Sequence, residues 1–71
     1  MYTYEEAKSL LREGIHMQNS VSSDAVFSIE AVVETIDGVL QTVPTLMKSD
    51  GELKVPYELT PEDIGAEWFF L

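Results

Sequence analysis

The chain contains no cysteine and only one histidine, His16. Neither a disulfide framework nor a thiolate metal site can reinforce the fold, and a zinc site built from histidines is not to be expected. Cations are scarce: four Lys and Arg stand against thirteen Asp and Glu, a net charge of −9. Nucleic-acid phosphate and anionic membrane surfaces both demand clustered Lys or Arg, so direct nucleic-acid binding and membrane association are disfavoured. No apolar run approaches the ~20 residues of a membrane-spanning helix. The segment Met1-Tyr2-Thr3-Tyr4-Glu5-Glu6 is acidic where a secretory signal would be basic. With no cysteine as well, a cytoplasmic location is expected.

What is present suits a single small domain over residues 1–71 with 45% hydrophobic content. A chain of this length buries only about 60% of its unfolded surface, and oligomerisation is the remaining common remedy for so small a core. Thr3 and Glu6 have the spacing of a capping box, and Tyr4, Ala7, Leu10 and Leu11 follow at helical spacing. Lys8 and Arg12 fall toward the end that a helix dipole favours for cations, and Gly14 suits a left-handed cap. A helix over 3–13 is predicted, then a strand over 15–19 and a Ser-rich loop over 20–24.

Residues 25–36 fit two templates. As a strand, Phe27, Ile29, Ala31 and Val33 share one face, and Ser28, Glu30 and Glu34 the other. As a helix capped by Asp24, Val26, Ile29, Val33 and Ile36 share a face. The β-branched composition and the Asp37-Gly38 pair that follows favour the strand, hairpinned to Val39–Val43. Leu46–Lys48 and Glu52–Val55 flank Ser49-Asp50-Gly51 and predict a second Asp-Gly hairpin. Pro44 between the two β runs predicts a bend or an edge position. The fold class is therefore α+β: a small antiparallel β-meander with one N-terminal helix packed on it and a short helical turn before the last strand.

That turn is marked by Thr60 as N-cap, Pro61 at the first helical position and acidic Glu62 and Asp63 in the first turn. Asp63 occupies the acid position of a capping box, Ile64 is expected to point inward and Gly65 to end the turn. Trp68–Leu71 supplies a closing strand. Trp68 and Phe70 share one face and Phe69 the other, so one face should be core while the other offers Trp68, Phe69 or Phe70 to a subunit interface. Tyr57, at the strand end beside Pro56 and next to a helix start, could stack a base near an anion-friendly turn. Lys54, one of the four cations, is expected close by on the same strand face. Tyr57, Lys54, Thr60 and Asp63 are accordingly the candidate ligand-binding residues. Each also has a structural reading: Thr60 and Asp63 as caps, Tyr57 as a core-edge residue. His16, without a partner nearby in sequence, reads as a surface or half-buried strand residue. No Ser-His-Asp set, phosphate-cradling glycine loop, HExxH motif or cysteine nucleophile is present, so no catalytic role, metal site or cofactor is expected.

Two blocks carry a resemblance. They are Tyr4-Glu5-Glu6-Ala7-Lys8-Ser9-Leu10-Leu11-Arg12-Glu13-Gly14, and Met47-Lys48-Ser49-Asp50-Gly51 through Val55-Pro56-Tyr57 to Thr60-Pro61-Glu62-Asp63-Ile64-Gly65-Ala66-Glu67-Trp68. Together they resemble a family of small phage-borne proteins that includes the Thoeris anti-defence protein 2. The resemblance implies a small α+β fold, homo-oligomeric assembly, and sequestration of a cyclic nucleotide-like immune signal, uncleaved, in pockets between protomers. It would place such a protein in the host cytoplasm. Tyr57 would then be the aromatic residue after Val-Pro, Thr60 and Asp63 the polar turn, and Trp68 the tryptophan of the ending. The acidity points to a different alternative, an acidic inhibitor that mimics nucleic acid and occupies a cationic site on a host defence protein. A small structural or accessory domain is the third reading.

Overall fold

The computed structural model describes all 71 residues. Its elements run α1 (Tyr4–Arg12), β1 (Met17–Asn19), β2 (Val26–Ile36), β3 (Val39–Asp50), β4 (Leu53–Pro56), α2 (Pro61–Ile64) and β5 (Trp68–Phe70). The strands form one antiparallel sheet in the order β4-β3-β2-β1-β5. The α+β expectation holds, and so does the choice of strand over helix for β2. Strands β1 to β4 are a meander. The chain then crosses from one sheet edge to the other through α2, and β5 pairs with the outer edge of β1.

Local chemistry explains the helix ends. Thr3 Oγ1 accepts from the Glu6 N–H while the Glu6 carboxylate accepts from the Thr3 N–H, which completes the predicted capping box. Gly14 follows the last turn with φ +90°, a left-handed value that only glycine takes without strain. At the first hairpin Asp37 and Gly38 both have positive φ, as a two-residue type I′ turn requires. The second hairpin differs from expectation by one position. Asp50 still pairs with Leu53, so the loop is Gly51-Glu52, and only Gly51 takes positive φ. Glycine at the first loop position is the type II′ solution, and it draws Asp50 into the strand. At Pro44 the edge alternative holds, not the bend. Strand β3 runs through it opposite Ala31, and β4 reaches only as far as Met47, so β3 is an edge strand there.

Register assigns Met17, Asn19, Phe27, Lys48, Trp68 and Phe70 to one sheet face. Helix α1 lays Ala7 and Leu11, one turn apart, over this face. These two close a core with Met17, Ala25, Phe27 and Trp68. Phe27 is the hub, with ring centroids 5.0 Å from Trp68 and 5.6 Å from Tyr57 in edge-to-face geometry. Only 9 of the 71 residues are fully buried, so this small cluster bears most of the stability.

The sheet is much longer than its core. Strand β1 covers β2 only at Phe27, and beyond that point β2 and β3 continue as a two-stranded arm to the Asp37-Gly38 turn. An 11-residue strand spans about 36 Å, which accounts for the long axis of a molecule measuring 41 × 26 × 21 Å. Every residue from Val33 to Thr42 is exposed.

Replacing Trp68 by Ala should cost about 3–5 kcal/mol. A chain of this length has about 4–10 kcal/mol in all, so the variant should be largely unfolded by urea titration. Phe69→Ala, which removes a partly exposed ring from the opposite face, should cost clearly less than Trp68→Ala, about 1–2 kcal/mol in the same titration.

Candidate functional site

Where the crossover passes over the sheet, a carboxylate is fully buried. Asp63 is 0% exposed. It lies at the third position of α2, and Thr60 and Asp63 complete a second capping box. Its Oδ2 accepts from the Tyr57 hydroxyl at 2.6 Å, the Thr60 hydroxyl at 2.9 Å and the Thr60 N–H at 3.0 Å. Its Oδ1 accepts from Asn19 Nδ2 at 3.1 Å. The network extends outward, because Asn19 Oδ1 takes the Ser22 N–H at 2.8 Å and the Asp63 carbonyl takes the Trp68 indole N–H at 3.0 Å. Strand β1, the loop after it, α2 and β5 are thereby tied into one network centred on Asp63. No buried side-chain polar atom is left without a partner.

Burial pushes the Asp63 carboxyl up, and the hydrogen bonds from Tyr57, Thr60 and Asn19 outweigh it, so the group sits below the ordinary carboxylate range. The Tyr57 phenol is raised, first by its hydrogen bond to Asp63 and then by burial. Ile64, expected inside, is 51% exposed. The reason is geometric. One residue of helix turns about 100°, so once Asp63 faces the sheet to reach Asn19 and Tyr57, its neighbour must face away. Ile64 instead lines an open hollow of about 340 Å³ with the N-terminal segment Met1–Tyr4, Glu6 and Gly65–Glu67.

Of the four sequence-derived ligand candidates, the fold brings Tyr57, Thr60 and Asp63 together and leaves Lys54 apart. Lys54 lies on the opposite sheet face, where its Nζ is 2.6 Å from Glu30 Oε2. That ammonium, followed by the Ser28 hydroxyl, holds the Glu30 carboxyl below its usual range. The cation beside Tyr57 is Lys48, whose Nζ stands 4.6 Å from the ring centroid and donates to the Ser22 hydroxyl at 3.3 Å. Sequence reasoning missed Lys48 because its nearness to Tyr57 is made by β3–β4 pairing, in which Lys48 lies opposite Val55. Alternation along β3 places it with Phe27, and that could have been read once the register was known.

Lys48 also lines a polar hollow of about 250 Å³ with Val21, Ser22, Ser23, Asp24, Ala25 and Asp50. It presents one ammonium, serine hydroxyls and two carboxylates in a small space. Of the interface candidates, Trp68 is fully buried within its own chain, while Phe69 and Phe70 are partly exposed, Phe70 against the Tyr2 ring at 5.0 Å. His16 is exposed. No group of three or more His, Cys, Asp or Glu side chains converges as a metal site would require, and no helix is long and apolar enough to cross a membrane. Comparison with protein-family models, curated proteins and solved structures finds no match.

Asp63→Ala strands the Tyr57 hydroxyl and the Asn19 amide and should cost about 2–4 kcal/mol. The native carboxyl has a depressed pKa, so the unfolded chain binds more protons at acid pH. Asp63 therefore contributes stability that is complete above the unfolded value near 3.9 and is lost as pH falls through the lower folded value. Urea midpoints measured as pH is lowered should fall more steeply for the wild type than for Asp63→Asn. Equal slopes would remove Asp63 as the source.

Proposed function

We propose that this protein acts by binding rather than turnover, as a phage-type anti-defence protein that sequesters a cyclic nucleotide-like immune signal. The observation that carries the reading is the hollow at Lys48. An ammonium suits a phosphate oxygen, Ser22 and Ser23 offer hydroxyls to phosphate or sugar, and Asp24 and Asp50 can accept from ribose hydroxyls. Tyr57 adds an aromatic edge beside the lysine. The α+β fold class agrees with what the resemblance implies. The buried Asp63 and its capping partner Thr60 act as the frame that fixes Tyr57, not as groups that touch the ligand. At about 250 Å³ the hollow is smaller than the roughly 300–1,000 Å³ of ordinary ligand sites, so a nucleotide needs a second wall. A second protomer supplies it in this reading, consistent with homo-oligomeric assembly.

One observation favours a second reading. Of the four cations, Lys8 is paired with Glu5 and Lys54 with Glu30. The exposed field is therefore strongly acidic, which suits an inhibitor that docks on a cationic host protein. Capture of such a partner should weaken steeply with added salt, whereas nucleotide uptake by Lys48 alone should be only mildly salt-dependent.

Calorimetry of the purified protein against a panel of cyclic nucleotides should give saturable heat for at least one, with the ligand recovered chemically unchanged. Lys48→Ala should weaken that binding by about tenfold or more. A flat response across the panel, together with a protein spectrum free of nucleotide absorbance, would rule the sequestration reading out.

A further inference from the structure

We infer that the outer part of the β2–β3 arm is the surface on which two copies of this chain assemble, packed face to face about a two-fold axis. This rests on the oligomeric part of the reading above and gives it a location. Alternation and register assign Ala31, Val33, Thr35, Leu40, Thr42 and Pro44 to one face of the arm. That face carries no charged residue, in a chain of net charge −9. It continues the apolar face that α1 and the crossover cover over the body, yet nothing covers it: Val33 is 65% exposed and Leu40 72%. The other face of the arm differs, because Glu30 and Glu34 interrupt it.

The charge pattern selects the occupant. Two chains of the same strong sign repel wherever acids meet, so a second copy approaches at low cost through a surface free of them. A two-fold axis makes the contact self-complementary, with each Val33 and Leu40 meeting the same face of the partner. Size agrees. A buried side chain of this kind removes about 60–120 Å² from water, so six per copy give about 1,000 Å² in total, the lower bound for a specific interface. Edge-on pairing of the arms through β3 is opposed by Pro44, which has no N–H to donate. The closing strand is a weaker choice, since Trp68 is already consumed by its own core.

The test is the mass of the full chain in solution without ligand, by sedimentation or native mass spectrometry across a concentration series. The wild type should be a dimer or a multiple of one. Val33→Glu with Leu40→Glu should raise the dissociation constant by about 100-fold or more and yield folded monomer by circular dichroism. Both positions are exposed in the single chain, so neither change removes a core contact. Val39→Glu, on the acid-bearing face, should leave the mass unchanged. A wild type that is monomeric throughout, or an assembly that survives the double substitution, overturns the proposal. Because no nucleotide enters the measurement, either result leaves the calorimetric test of ligand binding to stand separately.

Discussion

A single buried carboxylate holds this domain together. Asp63 has no cation beside it. Its charge is offset by one amide, two hydroxyls and one backbone N–H. A carboxylate taken out of water without such donors would cost several kcal/mol, so the four donors must arrive together. That requirement makes the site cooperative. Asn19 brings β1, Tyr57 the end of β4, Thr60 the start of α2, and the Asp63 carbonyl receives Trp68 of β5. The two sheet edges are joined through these bonds across a core of six apolar residues, too small to fix the crossover by packing alone.

The same constraint separates structure from function in the candidate site. Thr60 and Asp63 spend their hydrogen-bonding capacity on each other and on their neighbours, which leaves little for a ligand. Tyr57 is different, because its hydroxyl is committed to Asp63 while its ring reaches outward to Lys48. One ring face carries the Lys48 ammonium, and Phe27 meets the ring edge-to-face. The chemistry available to a partner therefore lies one step out from the carboxylate, at Lys48 and Ser22. It lies on the side where the molecule is open.

Much of this was legible in the chain. The Thr3–Glu6 and Thr60–Asp63 boxes, Gly14 as a helix stop, the Asp37-Gly38 turn and the alternation of β2 are local patterns, each decided by residues a few positions apart. The misses share one cause. The loop at Gly51-Glu52, the exposure of Ile64 and the exchange of Lys54 for Lys48 beside Tyr57 depend on what lies across the sheet. Ile64 shows it most simply. Hydrophobicity argues for the inside, but Asp63 and Ile64 cannot both face the sheet from one helical turn, and four hydrogen bonds outweigh one aliphatic side chain.

By itself the sequence determined the fold class, the helix ends and the hairpin at Asp37-Gly38, because capping, turn geometry and strand alternation are short-range. It also determined the acidity, and with it which partners are disfavoured. Only the tertiary structure decided that Asp63 is enclosed, that Lys48 is the cation at Tyr57, and that the β2–β3 hairpin outruns its core. Those outcomes depend on strand register and on how far each neighbouring strand extends, and both are set by pairings between residues far apart in the chain.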